Sequence, residues 1–428
     1  MKLIKQSLLL LGVVFAVMSC NTSVDVKTGL GCTKEQYQKN IENSLISTGT
    51  QAYMDGVTAG LISKLQNGET VYVAAIGGSV TEGAGAEDDK VYTKGYAYQF
   101  KDMLKVKYPG ADIKFFGAGL SGTPSLLGVI RYKKDVEERL GHAPDLLILE
   151  FSVNDSGNQT FARSYEGIIR TVLMENPKTT IISLYADAKS YKNCQGTLDP
   201  VAEYYGLPRL SIQNAVENPS SGIDEAKYFF DYVHPATIGH TFMADCLMNV
   251  ISLLEKNASA GGTTAYELPE SPKFENSFYN IHPVYSNTKD DNVKIIAGSF
   301  GDRDANSQGL KIGGNEFPDN WHHKKGSESF NATLNCKSLI FVYKHQGSWL
   351  KDEPFGAAEV YVDGLKIKSH ADGNETQTFN GAKDGGWNDC VQEVIIDEST
   401  ESEHTVEVKM ASGDENKGFT ILALGYTR

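Results

Sequence analysis

The stretch Val71-Tyr72-Val73-Ala74-Ala75-Ile76-Gly77-Gly78-Ser79-Val80-Thr81-Glu82-Gly83 sets the pattern for the first half of the chain. It begins as a short apolar run rich in β-branched residues and ends in a glycine-rich turn that carries a serine. Three comparable apolar runs follow it, each with a turn behind it: Ile113–Phe116, Leu146–Phe151 and Thr180–Leu184. Nearly continuous apolar runs of this length are typical of parallel strands buried on both faces.

Helical patterns alternate with these strands. Apolar residues recur at three- and four-residue spacing in Tyr96–Val106, Gly128–Leu140, Tyr165–Met174 and Thr237–Leu254. Strand–helix alternation of this kind predicts a parallel sheet wrapped by helices, an α/β domain that we expect over residues 46–256.

The composition changes after this domain. Residues 257–275 contain an Ala/Ser/Gly/Thr-rich run followed by two prolines, which is typical of a linker. Beyond it the helical pattern fades, and strand patterns predict an all-β sandwich over residues 276–428. The predicted strands are Val293–Ile296, Ser338–Tyr343, Ala358–Val362, Val391–Ile396, His404–Met410 and Phe419–Gly425.

The overall composition excludes several classes of protein. The chain has 428 residues, of which 40% are hydrophobic and 22% charged, so it is neither disordered nor fibrous. Its 54 acidic residues outnumber its 40 basic ones and give a net charge of −14. This balance provides no basic surface for nucleic acid, and we expect no nucleic-acid partner.

The N-terminus has the features of an export signal. Lys2 and Lys5 precede the apolar run Leu8–Val17, which is too short to span a bilayer as a helix. Ser19 before Cys20 resembles the end of a bacterial lipoprotein signal. That resemblance implies that residues 1–19 are removed, that Cys20 is lipidated and that residues 20–45 form a tether. The protein would then be anchored in the cell envelope outside the cytoplasm, on the periplasmic or the outer-membrane face; the alternative is an ordinary secretory signal.

Five further cysteines remain after Cys20, so at most two disulfides can form. Cys194 with Cys246 and Cys336 with Cys390 are possible pairs, but the sequence does not determine the connectivity. The chain contains no C-x-x-C motif, so a zinc ribbon or a thioredoxin-like motif is not supported.

Four motifs could carry chemistry, and each lies at the end of a strand or before the last helix. Ser79 follows the first strand, Gly122 lies in the loop after the second, and Asn154 follows the third. Asp231 and His234 lie three residues apart in a turn before the final helix. Because parallel strands end at the same edge of a sheet, we expect these residues to meet. They provide the groups that acyl transfer needs: a nucleophile, oxyanion donors, a base and a residue that orients the base.

Several other interpretations of these motifs are weaker. The serine motif is neither the G-x-S-x-G elbow, because Thr81 stands where the second glycine should be, nor a P-loop. Gly117–Gly122 matches G-x-G-x-x-G, but no acidic strand end follows at the spacing that dinucleotide binding requires. His240 looks structural, and the pair His322-His323 has no carboxylate or cysteine at ligand spacing, so a metal site there is not supported.

Together the four motifs resemble those of the SGNH (GDSL-type) hydrolase family, over residues 70–256. The resemblance implies a flavodoxin-like three-layer α/β/α fold and a serine esterase without a metal or organic cofactor. It implies that Ser79 is the nucleophile, that Asp231 and His234 complete the triad, and that Ser79, Gly122 and Asn154 form the oxyanion hole. Gly78 departs from the family pattern, which has Asp before the serine. Gly117 stands where the family has Asn, which makes Gly119 a second candidate for the oxyanion donor of that loop.

The second domain resembles a jelly-roll carbohydrate-binding module, in which Trp349 or Trp387 could stack on sugars or belong to the core. Exported family members with such a domain resemble esterases that deacetylate polysaccharides or oligosaccharides. We therefore expect an acetylated or acylated glycan as the substrate, and peptidoglycan O-acetyl groups are also possible. The alternatives are a lipase or lysophospholipase-type acylhydrolase and a non-catalytic glycan-binding lipoprotein.

Overall fold

A computed structural model describes residues 27–86, 93–257, 266–306, 309–310, 314–346, 354–373, 375–382 and 390–428. Four features that the sequence analysis singled out lie outside these residues: the signal segment 1–19, the lipidation site Cys20, and Trp349 and Trp387.

The first domain is built on a six-stranded sheet. Its strands are β1 Leu45–Ser47, β2 Thr70–Gly77, β3 Asp112–Gly119, β4 Leu146–Glu150, β5 Thr180–Tyr185 and β6 Arg209–Ser211, in the order β1-β6-β5-β4-β2-β3. Strands β2 to β6 are parallel, as predicted, and β1 adds an antiparallel edge. Within the parallel part the order is flavodoxin-like, and the chain changes direction between β2 and β4. Ligands of such sheets bind at this switch point, beyond the carboxyl ends of the strands.

Helices cover both faces of this sheet, which gives the predicted three layers. One face packs against α1, α3, α5, α9 and α11, and the other against α6, α7 and α8. The helices are α1 Lys34–Ser44, α2 Gln51–Tyr53, α3 Ala59–Asn67, α4 Ser79–Glu82, α5 Tyr96–Lys107, α6 Ser125–Tyr132, α7 Gln159–Glu175, α8 Gln195–Tyr204, α9 Ile212–Val216, α10 Glu225–Tyr228 and α11 Thr237–Asn257. Two π-helical turns, Met54–Thr58 and Lys133–Glu138, precede α3 and extend α6.

The folded domain begins earlier than the sequence predicted. Residues 20–45 were expected to be a tether, but α1 lies within them and packs on the domain. Thr33 caps this helix in a capping box with Gln36, and the Tyr37 hydroxyl donates to Asp245 on α11 at 2.6 Å. The sequence does not reveal α1 because its amphipathic pattern is weak: two of its buried positions are the polar residues Asn40 and Ser44.

The second domain is all-β, as predicted. Its strands are β7 His282–Val284, β8 Val293–Ile296, β9 Gly309–Leu310, β10 Gly314–Asn315, β11 Trp321–His323, β12 Phe330–Lys344, β13 Ala357–Val362, β14 Leu365–Lys366, β15 Phe379–Asn380, β16 Cys390–Met410 and β17 Phe419–Thr427. The long strands β12 and β16 pair along their whole length, with a shift in register near Cys336–Ser338. On the edge of β12 that faces away from β16, the neighbouring strand changes at this shift. The first half of β12 pairs there with β8 and the second half with β17. Side chains from both halves fill one core.

The two domains share a hydrophobic core. Ile340, Val342, Leu422 and Ala423 of the second domain belong to the same cluster as the buried residues of α6 and α7. At the edge of this contact, Arg163 on α7 donates two hydrogen bonds of 2.7 Å to the Asp397 carboxylate. The domains therefore form one packed unit.

The predicted linker is bound to the first domain where the structure describes it. Arg170 on α7 donates to the carbonyls of Pro269 and Glu270 at 2.8 and 2.7 Å. The buried carboxylate of Glu166 accepts hydrogen bonds from the backbone N–H groups of Lys273 and Phe274. Side chains of α7 thus satisfy the backbone of residues 269–274 and fix its path.

Cys32, Cys194, Cys246, Cys336 and Cys390 are all free thiols, so neither possible pair forms a disulfide. Burial holds the pKa of the Cys246 thiol above its ordinary value. Within the part of the chain that the structure describes, α11 is the one helix long and apolar enough to span a membrane. Its apolar residues are buried in the core of the first domain, against α5, so it is a core helix here.

Candidate active site

Ser79 lies at the switch point of the sheet. Strand β2 ends at Gly77 and α4 begins at Ser79, so the serine is the first residue of a one-turn helix. Its side chain is largely buried, and its Oγ lies 2.9 Å from His234 Nε2. This distance is within hydrogen-bond reach, which general-base activation of a serine requires.

His234 and Asp231 are held in a tight loop between α10 and α11. Phe229 and Pro235 form a β-bridge that closes the loop, and the N–H of Phe230 donates to the carbonyl of His234 at 2.8 Å. His234 Nδ1 lies 2.8 Å from Asp231 Oδ2. The structure therefore brings together Ser79, His234 and Asp231, which come from opposite ends of the first domain.

The Asp231 carboxylate is ionised and well supplied with donors. Its Oδ1 accepts from the backbone N–H groups of Val233 and His234 at 2.9 and 2.8 Å. Partial burial opposes ionisation, but these bonds and the one to the His234 ring hold the pKa of Asp231 below its usual value. A charged Asp231 fixes the tautomer of His234, so that Nδ1–H donates to Asp231 and Nε2 is free to accept the serine proton.

Asn154 lies directly beside the residue that precedes the serine. It follows β4 in a turn in which its N–H donates to the carbonyl of Phe151 at 3.0 Å. A Cβ atom placed on Gly78 would lie 1.8 Å from Asn154 Oδ1. Position 78 therefore has room only for glycine while Asn154 keeps this position.

Gly122 lies in the loop that follows β3. The loop is tied to β2 because the N–H of Leu120 donates to the carbonyl of Gly77 at 3.0 Å. Gly119 packs so closely on α4 that a Cβ there would lie 2.1 Å from the backbone nitrogen of Glu82. Gly122 itself adopts a φ of +71°, a left-handed conformation that favours glycine. The loop thus contacts the first turn of α4, the helix that carries Ser79.

Three N–H donors at this edge of the sheet have no acceptor among the described residues: the backbone N–H groups of Ser79 and Gly122 and the side-chain amide of Asn154. Ser79 is the first helical residue of α4, where the N–H has no intrahelical partner. Asn154 Oδ1 is buried and has no hydrogen-bond partner. The unpaired Nδ2, in contrast, is not one of the buried atoms. Donors that are free and fixed beside a nucleophile can stabilise an oxyanion.

Arg131 on α6 is a part of the site that sequence reasoning missed. The side chain is fully buried, and it donates to the carbonyls of Gly77 and Ala118 at 2.7 and 2.8 Å. It also donates to Asp135 at 2.9 Å. Arg131 therefore joins the ends of β2 and β3 two residues before Ser79. The sequence signal for this buried arginine is that it is the one charged residue in the otherwise largely apolar helix Ser125–Tyr132.

Glu150, the last residue of β4, was also missed. Its carboxyl group is fully buried and lies 3.2 Å from the Thr81 hydroxyl and 3.3 Å from the Ser152 hydroxyl. Burial raises the pKa of Glu150 to about 7, although these hydroxyl groups act in the opposite direction. The Thr81 hydroxyl in turn lies 2.8 Å from the Tyr96 hydroxyl. Glu150, Thr81 and Tyr96 therefore form a buried polar network that holds α4 in place.

The remaining histidines singled out above are bonded within the fold. His240 Nδ1 accepts from the N–H of Tyr96, and its Nε2 lies 3.0 Å from the carbonyl of Ala84. Burial lowers the pKa of His240 to about 4, so the ring is neutral and cross-links two backbone segments. His322 and His323 bond to Thr420, Lys417 and Gly326.

Comparisons with known proteins agree with this architecture. Residues 75–242 match the model of the GDSL-like Lipase/Acylhydrolase family. A crystal structure of a two-domain esterase active on acetylated mannans superposes with a TM-score of 0.74 at 23% identity, and the match covers 91% of this chain and 99% of that one. The same kind of esterase co-crystallised with mannopentaose gives a TM-score of 0.72 at 22% identity and covers 91% of this chain and 98% of that one. None of the curated protein sequences matches the chain.

The solved structures share the fold of both domains, and the family match falls on the residues that carry Ser79, Gly122, Asn154, Asp231 and His234. The α/β half of this chain therefore matches the GDSL-like lipase/acylhydrolase family over residues 75–242.

Proposed function

We propose that the protein is a serine esterase that removes acetyl groups from a polysaccharide or oligosaccharide. The observation that carries the proposal is the continuous chain Ser79–His234–Asp231, with atom-to-atom distances of 2.9 and 2.8 Å, beside three unpaired N–H donors. A nucleophile, a base, a residue that orients the base and oxyanion donors are the complete set for acyl transfer to a serine.

In the first half-reaction, Ser79 Oγ attacks the carbonyl carbon of the ester while its proton passes to His234 Nε2. Asp231 stabilises the imidazolium that forms, through the Nδ1 hydrogen bond of 2.8 Å. The N–H groups of Ser79 and Gly122 and the amide of Asn154 bind the tetrahedral oxyanion. The intermediate collapses as His234 returns the proton to the departing sugar oxygen, which leaves an acetyl group on Ser79.

In the second half-reaction, water attacks the acetyl-serine and gives a proton to His234. A second tetrahedral oxyanion occupies the same three donors, and its collapse releases acetate and restores the Ser79 hydroxyl. Each role is played by a side chain or an N–H group of the chain itself.

The glycan part of the substrate is supported by the overall architecture. A structure with the same two-domain fold over nearly its whole length is an esterase active on acetylated mannans. In this chain the β-domain is packed on α6 and α7 of the catalytic domain through a shared core, as a permanent part of the molecule. We therefore expect acetylated glycans to be better substrates than long-chain lipid esters.

The test is acetate release from acetylated mannan and acetylated xylan by the wild-type protein and by Ser79→Ala. We expect the variant to lose at least about 10⁴-fold in kcat, because no other group can form the acyl-enzyme. Ser125→Ala is the matched control, because this buried serine is bonded to Ser164 and lies outside the reacting set. Acetate release by Ser79→Ala at the rate of the wild type, or labelling of that variant by a serine-directed fluorophosphonate, would contradict the assignment.

We also propose that Cys20 is lipidated and anchors the enzyme outside the cytoplasm. The support is the sequence pattern of residues 1–20, since they lie outside the described residues. In a bacterial host, the wild-type protein should incorporate radiolabelled palmitate and sediment with membranes. The same incorporation by Cys20→Ala would rule the site out.

A further inference from the structure

Exposed aromatic side chains lie in the loop that holds Asp231 and His234 and in the segment bonded to it. Eight large hydrophobic side chains are exposed in the described part of the chain; two of them lie in the loop that holds Asp231 and His234, and a third lies in a segment that is hydrogen-bonded to that loop. Phe230 and Tyr232 flank Asp231 on both sides, with exposed fractions of 69% and 72%, and the third is Tyr191. Apolar side chains that stay exposed beside a reaction centre are typical of a binding surface.

The backbone positions Phe230 and Tyr232 relative to His234. A Cβ placed on Gly85 would meet the β-carbons of His234 and Phe230 at 2.8 and 3.2 Å, so these two β-carbons lie near each other beside Gly85. The carbonyl of Tyr232 accepts hydrogen bonds from the N–H groups of Lys189 and Ser190 at 2.9 and 3.3 Å. These bonds join the catalytic loop to the segment that carries Tyr191.

Tyr191 lies between the oxyanion side of the site and a polar pocket. Its hydroxyl donates to the carbonyl of Val153 at 2.7 Å, next to Asn154, and its ring is 44% exposed. The next two residues, Lys192 and Asn193, line a pocket of about 540 Å³, and the N–H of Cys194, which follows them, donates to the carbonyl of Ser152 at 2.7 Å. The amide side chains that line this pocket are Asn193, Gln195, Gln213, Asn214 and Asn218.

The chemistry of this surface favours an uncharged carbohydrate. Primary amides both donate and accept hydrogen bonds, which matches the hydroxyl groups of a sugar. Asn193 is bonded within the fold through both of its amide atoms, whereas the Asn214 side chain makes no hydrogen bond to the described residues. The charged residues of the pocket, Lys192 and Glu217, balance each other, so the pocket does not select an anion. Exposed aromatic rings offer flat apolar faces to the C–H faces of sugar rings while they lose little conformational entropy.

We propose that Phe230, Tyr232 and Tyr191, together with the amide-lined pocket behind Tyr191, form a subsite that binds the neutral glycan chain next to the acetylated sugar. This inference rests on the proposed function and adds to it the surface that distinguishes a glycan from a small ester. Binding along this surface holds the acetyl group in front of Ser79, and the aromatic rim supplies contact area that a small ester cannot use.

The test compares Tyr191→Ala and Phe230→Ala with Tyr204→Ala. Tyr204 is a close match for Tyr191, because it is 40% exposed and its hydroxyl also donates to a backbone carbonyl, that of Ser271 at 3.0 Å. It lies on α8 beside a different pocket. The measured quantity is the ratio of kcat/KM for an acetylated mannooligosaccharide to kcat/KM for an aryl acetate. We expect this ratio to fall about tenfold in each rim variant, through KM for the oligosaccharide, and to stay at the wild-type value in Tyr204→Ala.

A binding measurement separates this inference from the proposed function. The inert Ser79→Ala protein should bind an unacetylated mannooligosaccharide or xylooligosaccharide in calorimetry, and adding Tyr191→Ala should weaken that binding about tenfold. If glycan acetates are hydrolysed but the rim variants keep the wild-type ratio, the subsite is wrong and the proposed function stands. If only the aryl acetate is hydrolysed and Ser79→Ala binds no glycan, the proposed substrate class is wrong, and the subsite with it.

Discussion

Replacing Gly78 by alanine should damage catalysis without touching a catalytic group. The Cβ of an alanine at position 78 would lie 1.8 Å from Asn154 Oδ1. An ordinary contact needs at least 3.4 Å, so the two atoms must separate by about 1.6 Å, which is 3.4 minus 1.8. Gly78 has a φ of −89°, outside the left-handed region that favours glycine, and the close contact of an added Cβ is with the Asn154 side chain.

The size of the effect follows from the role of the displaced amide. Oxyanion donors act at about 2.7–3.1 Å, so a displacement of this size takes the Asn154 amide out of hydrogen-bond range. Loss of one such donor costs on the order of 10²–10³ in kcat, or about 2.7–4 kcal/mol of transition-state stabilisation. We therefore expect Gly78→Ala to resemble Asn154→Ala.

Steady-state hydrolysis of an aryl acetate by Gly78→Ala, Asn154→Ala and the double variant tests this reasoning. If both substitutions act through the same amide, the double variant should be about as slow as Asn154→Ala. Independent effects would multiply to a loss on the order of 10⁴–10⁶. Gly60→Ala is the control, because its Cβ would meet nothing within 4 Å. A Gly78→Ala enzyme with wild-type kcat would refute the argument, as would a double variant with the multiplied loss.

Two further predictions concern buried charged groups. Arg131→Met should lower the free energy of unfolding by about 3–5 kcal/mol, because the buried Asp135 loses its 2.9 Å ion pair and keeps only the longer contact to Arg139 at 3.7 Å. A loss below about 1 kcal/mol in urea unfolding would contradict this. Asp187 has a pKa raised to about 7 by burial and nearby carboxylates, above its ordinary 3.8, so the folded state binds the proton more tightly than the unfolded state. The stability that it contributes is therefore present at low pH and lost as the pH rises from about 4 to 7. Asp187→Asn should flatten the dependence of Tm on pH in that window, and an unchanged slope would show that other groups cause it.

The sequence predicted the reacting residues because their positions follow from topology. Parallel strands end at one edge of a sheet, so residues after β2 and β4 meet there whatever their separation in the chain. Asp231 and His234 lie three residues apart, a spacing that a tight loop can close. The roles of these residues remain predictions, whereas their proximity is a property of the fold.

The support beneath the site could not be predicted in the same way. A charged residue such as Arg131 in an amphipathic helix is usually read as solvent-facing, and only the packing shows that it faces strand ends. The contact between Gly78 and Asn154 is equally invisible in sequence, since it depends on the exact separation of β2 and β4. In the second domain, the charged stretch Asp397–Glu403 divided β16 into two predicted strands. The strand continues through it, because the exposed charges need no partner in the core.

The composition of the linker also failed to predict how it packs. Residues 257–275 have the composition of a flexible linker, but their described part is tied to α7 by Arg170 and Glu166. Helix α6 then connects the two domains to the site. A Cβ on Gly425 of the β-domain would lie 2.8 Å from Ile130, and the next residue, Arg131, donates to the end of β2 before Ser79. Because closely packed elements transmit displacements, the β-domain helps to position the end of β2 and Ser79 after it.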